Sequence, residues 1–281
     1  MKFGINTFLF TSPFTDDSIS LFPLFKEWGF DSVEIALEDV AHIDPKLVRE
    51  ALDKNGLTCG SICAAMGPGR DLRGTIEDQA TALKYIKEVI DVMPVLGCPM
   101  LAGPLYSSVG RAEPVSEADY KIQWDTVREH LKELAAYAAK KGVKLAIEPL
   151  NRYETDFINT AEQGLRMIAE VNNDALLLHL DTFHMNIEEK DPANAILNAG
   201  SKLGHFHACG SDRGTPGNDH TGWDQICEAL HSTGYDRQIV IESFTTDVKI
   251  IAKAASIWRK LEPSQQDIAV KGLAFLKSKL S

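Results

Sequence analysis

Eight short apolar runs alternate with longer segments of helical periodicity along this chain. That alternation narrows the fold more than any other feature. The strand-like runs lie at 2–6, 32–36, 57–64, 99–103, 143–147, 175–180, 202–206 and 239–241. They are short and rich in aliphatic and β-branched residues, as strands buried on both faces are. Helical patterns fill the gaps at about 17–28, 45–54, 76–93, 117–141, 160–171, 192–199 and 223–233. The stretch 248–280 reads as helix twice, broken near Pro263.

Strands alternating with helices imply a parallel sheet. Eight such units in 281 residues match a closed α/β barrel of the (β/α)8, or TIM, type. The sequence therefore predicts one domain, 1–281, with an additional C-terminal helix. Gly29, Gly56, Gly142 and Gly234 each precede a strand, where a helix C-terminus calls for glycine. An open doubly wound sheet is the rival architecture. It usually carries a glycine-rich phosphate turn after its first strand, and here that turn, Asn6-Thr7-Phe8-Leu9-Phe10, has no glycine. The longest loop-like stretch, 103–114, follows the fourth strand, where barrel loops cover the active site.

The formal net charge of −11 speaks against a nucleic-acid surface, which needs clustered Lys and Arg. Nowhere do 18 apolar residues run together, so no transmembrane helix is expected. The first run begins at the N-terminus with no signal-peptide pattern. Five cysteines without a CxxC motif read as reduced, mostly buried thiols. Together these features predict a cytoplasmic chain with neither a nucleic-acid nor a membrane partner.

The last four runs end on chemistry. Glu148, Asp181, His207 and Glu242 stand at or just past their C-terminal ends, separated by 33, 26 and 35 residues, about one βα unit each. Barrel enzymes work at that rim. Three carboxylates meeting there repel one another, and a bound cation is the natural remedy. Oxygen ligands with one nitrogen suit a divalent ion such as Mn, Co or Mg. His205 and His179 lie two residues before rim residues on the same strand faces and read as hydrogen-bonded core histidines. His184 lies past the strand end and can reach a ligand. Arg152 and Arg213 stand in rim loops, where an arginine is either solvated or clamps a substrate oxygen. Glu34 ends the second run and reads as a hydrogen-bond partner of His184 or another site group. Phe8, Phe10, Tyr106 and Trp223 are loop packing or platforms for a sugar.

These residues also carry a resemblance. Ile147-Glu148-Pro149-Leu150-Asn151-Arg152-Tyr153-Glu154 is similar to a signature of the ketose 3-epimerases. So are Leu180-Asp181-Thr182-Phe183-His184-Met185-Asn186-Ile187-Glu188-Glu189 and Gly204-His205-Phe206-His207. This is the D-tagatose/D-allulose group of the xylose-isomerase-like barrels. The strong match covers about 143–245, and order and spacing fit over the whole chain. The resemblance implies that Glu148, Asp181, His207 and Glu242 bind one divalent metal ion, Mn2+ first, Co2+ or Mg2+ otherwise. It implies that Glu148 and Glu242 are the acid–base pair. Glu154, His184 and Arg213 would hold the hydroxyls and carbonyl of a small sugar substrate, of the D-tagatose, D-allulose, D-fructose or L-ribulose type. It also implies a homodimer or homotetramer. The chain departs from the family at Gly210, where an acidic residue is common, and in the loops after strands one and four. Those loops bear on substrate identity.

Epimerisation beside a ketone needs one base to take a weakly acidic C–H proton and a second to return it on the other face. A metal stabilises the enediolate between the two steps. An aldose–ketose isomerase, or a keto-sugar or keto-inositol lyase or dehydratase, would use a similar site. A non-enzymatic sugar-binding protein would need neither metal nor facing carboxylates. Metal analysis and solvent deuterium incorporation separate these readings.

Overall fold

The computed structural model describes residues 1–280. Eight parallel strands close into a barrel in chain order. They are β1 (Lys2–Asn6), β2 (Ser32–Leu37), β3 (Thr58–Ala64), β4 (Met100–Gly103), β5 (Lys144–Ile147), β6 (Leu176–Asp181), β7 (Leu203–Ala208) and β8 (Gln238–Ile241). β1 pairs with both β2 and β8, with Ile5 opposite Ile241, so no edge is left open. The expected barrel is therefore the observed one.

The helices that cover it are α1 (Phe22–Glu27), α2 (Pro45–Lys54), α3 (Ile76–Leu96), α4 (Glu117–Lys140) and α5 (Ala161–Val171). They continue with α6 (Thr182–Glu188), α7 (Pro192–Ala199), α8 (Trp223–Ser232), α9 (Lys249–Ala254) and α10 (Gln265–Leu280). Gly29, Gly56, Gly142 and Gly234 adopt φ of 94°, 61°, 73° and 67°, the left-handed region in which a Cβ is strained.

Period-two alternation decides what the barrel encloses. Val33, Ile35 and Leu37 of β2 join the large core that also holds Ile86 and Val89 of α3. Met100, Ala102, Ala146 and Leu177 form a separate small cluster. Many of the remaining buried strand positions are polar, among them Asn6, Glu34, Ser61, His179, His205 and His207. Burying so many polar groups is costly unless they bond to one another or serve a ligand.

Several elements differ from expectation. The helix expected over 17–28 splits into a 3-10 turn, Asp16–Leu21, and the short α1. Pro23 opens α1, and its missing N–H cannot continue the preceding turn. The helix α6, not expected at all, starts on the residue after β6. β6 and β7 run one and two residues further than the apolar runs, so Asp181 and His207 belong to the strands themselves. The break near Pro263 is where expected, between α9 and α10.

Candidate active site

The four rim residues converge. Ligand atoms of Glu148, Asp181, His207 and Glu242 all lie within 4.8 Å of one another, and all four side chains are buried. Glu148 and Glu242 each follow directly on a strand end, β5 and β8. Asp181 does two jobs. Its Oδ1 accepts the backbone N–H of Phe183 at 2.6 Å and caps α6, while Oδ2 faces the site.

His207 Nε2 donates to Glu34 Oε1 at 2.7 Å. That contact turns Nδ1 toward the carboxylates, 3.2 Å from Glu242 Oε2 and 3.7 Å from Asp181 Oδ2. Asn6 Nδ2 bridges Glu34 Oε1, at 2.7 Å, and Glu242 Oε1, at 3.1 Å. Its amide orientation is fixed, because Asn6 Oδ1 accepts the N–H of Phe8 at 2.8 Å. Arg213 Nη1 donates to Asp181 Oδ2 at 2.6 Å and to Glu242 Oε2 at 3.0 Å. Its Nη2 reaches His184 Nε2 at 2.9 Å, and Asn151 N–H donates to His184 Nδ1 at 3.0 Å. Glu154 Oε1 accepts from Asn151 Nδ2 at 2.7 Å.

Electrostatics separate these groups. Burial pushes Glu148 well above the usual carboxylate range, and Glu242 and Asp181 beside it push the same way. Asp181 is equally buried, yet the Arg213 guanidinium and His207 hold it well below its ordinary value. Burial disfavours a charged His207, but Glu34, Glu242 and Asp181 together raise it well above the usual imidazole range. Glu34 is held low by His207 and His205 against the effect of its burial.

The donor set fits a divalent cation. Glu148 Oε1 and His207 Nδ1 are buried and have no hydrogen-bond partner, which is expensive unless something else uses their lone pairs. Three carboxylate groups and one imidazole suit Mn, Co or Mg. Glu148 and Glu242 border a cavity of about 200 Å³ that also meets Glu154, His184 and Arg213, while Asp181 and His207 lie beside them without lining it. Its remaining wall is largely apolar, with Phe8, Met66, Val109, Leu150, Phe244 and Ile251.

Residues 22–279 match the family model described as xylose isomerase-like TIM barrel. The chain is 35% identical over 280 residues to a probable ketose 3-epimerase of Synechocystis sp., covering 99% of this chain and 96% of that one. The chain belongs to the ketose 3-epimerases of this barrel family. Its fold superimposes on the structure of an L-ribulose 3-epimerase with a TM-score of 0.93 at 29% identity, covering 99% of this chain and 94% of that one. It superimposes nearly as well on a D-allulose 3-epimerase from Methylomonas sp. in complex with D-allulose. There the TM-score is 0.91 at 29% identity, covering 99% and 97% of the two chains.

The structure chooses between alternatives that the sequence left open. Arg152 does not enter the site; it pairs with Glu188 at 2.9 Å on the surface. Glu34 binds His207, Asn6 and Ser61, and His184 is held by Asn151 and Arg213 instead. Of the four aromatics, only Phe8 borders the cavity. Phe10 packs on Phe25 and Trp28, and Trp223 on Phe275. Tyr106 is fully buried and donates to the carbonyls of Glu148 and Ile158 at 2.7 and 3.0 Å. His205 lies 2.6 Å from Glu34 Oε2 in the core. His179 is also core, but neither of its ring nitrogens is hydrogen-bonded; its ring packs edge-on against His207 at 4.1 Å.

Gly210, the departure from the family pattern, has a local cause. Its N–H bonds to Gly214 O at 3.0 Å, closing a turn. A Cβ there would stand 3.1 Å from Thr215 O and 3.2 Å from Asp212 Oδ1. The same turn holds Arg213 at φ 68°, a left-handed conformation rare for a bulky residue, and aims its guanidinium between Phe183 and Phe244.

Proposed function

We propose that this chain inverts C3 of a ketose by a two-base, metal-dependent reaction, with Glu148 and Glu242 as the two bases. The observation that carries the reading is their placement. The two carboxylates end β5 and β8, three strands apart around the ring, and border one small cavity. Each can therefore meet a bound sugar from a different side. Glu148, Asp181, His207 and Glu242 would hold a single divalent ion, with Mn2+ first and Co2+ or Mg2+ as substitutes. When bound, the ion supplies a Lewis acid for the charge that develops beside C3.

The chain's own groups do the rest. One carboxylate takes the C3 proton, and the other delivers a proton to the opposite face. Asn6 keeps Glu242 pointed into the cavity. His184, Glu154 and Arg213 offer a donor–acceptor row to sugar oxygens. The apolar wall keeps bulk water from the reacting carbon. D-allulose, D-fructose, D-tagatose and L-ribulose are the substrate types that the named relatives and the sequence resemblance support. This reading includes a cytoplasmic setting and a dimer or tetramer, both resting on composition and resemblance. No described helix is long and apolar enough to cross a membrane, and all five cysteines are free and buried.

A panel of free and phosphorylated ketoses in D2O with Mn2+ tests the proposal. Deuterium at C3 together with the C3 epimer is the expected result. Deuterium at C1 or C2 with aldose formation would replace it with an isomerase.

A further inference from the structure

A buried cation stands outside the catalytic cluster with all three of its nitrogens hydrogen-bonded. Arg73 comes from the loop between β3 and α3, and its side chain is fully buried. Its Nε donates to Ser107 Oγ at 2.9 Å, and Nη1 to Gln123 Oε1 on α4 at 3.1 Å. Nη2 donates to Arg111 O at 3.0 Å and to Asp156 Oδ1. Phe157 lies under the guanidinium, 5.1 Å from its carbon. One planar fork thus ties together the loops that follow β3, β4 and β5.

Those loops carry the far wall of the cavity. Val109 N–H donates to Met66 O at 2.8 Å, and Gly110 N–H to Glu154 O at 2.7 Å. Arg111 bridges Thr155 in a strand-like pairing, and Asp71 holds the Arg111 guanidinium at 2.9 Å. Met66, Val109 and Glu154 all border the cavity. Loops over a barrel mouth are the mobile part of such a fold unless tied down. Arg73 is the tie common to all three.

We propose that Arg73 is a positioning residue that sets the far wall of the sugar pocket, formed by Met66, Val109 and Glu154, and so governs substrate affinity without touching the metal ligands. This rests on the ketose-epimerase reading for its kinetic consequence but not for its structural one. Lysine cannot replace it, because a point charge with three donors does not reproduce the fork.

The test uses Arg73→Lys and Asp156→Asn in the full chain loaded with Mn2+, with D-allulose and L-ribulose as probes. Hydrogen exchange at the Val109 and Gly110 amides is expected to speed up about tenfold or more, while the β5 and β6 amides stay protected. KM is expected to rise about tenfold, with kcat within about threefold and metal content unchanged. Asp156 is partly exposed, so its variant keeps the test open if Arg73→Lys does not fold. Unchanged exchange in both folded variants overturns the proposal, as does faster exchange with an unchanged KM. Absence of epimerisation in the unaltered protein defeats the functional reading instead. The exchange result then decides by itself whether Arg73 holds the loops.

Discussion

His207 Nε2 and Glu34 Oε1 are 2.7 Å apart, and that one contact decides which face of the imidazole meets the three carboxylates. A carboxylate behind a ligating histidine fixes its orientation and raises its basicity. Glu34→Gln is therefore expected to weaken Mn2+ binding about 10- to 100-fold, with activity recovered at high metal concentration. Calorimetric titration of chelated protein checks this. An unchanged affinity would remove Glu34 from the account.

The metal-free protein should show an inverted pH response. Glu148 and His207 both hold a proton more tightly folded than unfolded. Their contribution to stability is complete below the unfolded values of 4.5 and 6.5 and fades as pH climbs through the folded ones. Asp181 and Glu34 run the other way; their contribution is present above the unfolded values and lost in acid. Chelated protein is thus expected to be most stable in mildly acidic solution, with Tm falling toward about pH 8, and added Mn2+ should abolish that fall. A Tm of the chelated protein that rises over the same range contradicts the charge assignment.

Arg213 balances two buried carboxylates at once, Asp181 and Glu242. Removing one partner from such a pair costs about 3–5 kcal/mol, because the other charges stay buried. Arg213→Ala should lower the Tm of chelated protein markedly, keep full metal content, and weaken substrate binding. Loss of metal in a folded variant would mean that Arg213 serves the metal rather than the sugar.

Asn6 offers the sharpest kinetic split. Its amide holds Glu242 by one oxygen and cannot flip, because Phe8 N–H occupies the other end. Asn6→Ala should lower kcat roughly tenfold to a hundredfold with a smaller change in KM, since misplacement of the base acts on the reacting geometry. Equal effects on both parameters would point to a packing role.

The barrel was legible because eight apolar runs of strand length recur at βα spacing, and the rim residues because each ends such a run. Asn6 was not, since it ends the first strand like any polar residue while its partner Glu242 lies 236 positions away. Arg73 gave no signal either, because its partners come from two other loops and α4, with no local pattern. The helix α6 was hidden by economy: Asp181 is at once strand end, cap and site carboxylate, leaving no loop to announce a new element. Tyr106 and Phe10 stayed undecided, because loop position alone does not separate an aromatic that faces the cavity from one that packs beneath it.

The two-base claim is tested most directly at C3. Glu148→Gln and Glu242→Gln should each abolish net epimerisation of D-allulose while the Mn2+ content, measured alongside, shows the site still loaded. The base left in each variant serves one face, so at least one of the two should still exchange the C3 hydrogen of one epimer with D2O, without inversion. Near-normal epimerisation by metal-loaded Glu242→Gln would contradict the account.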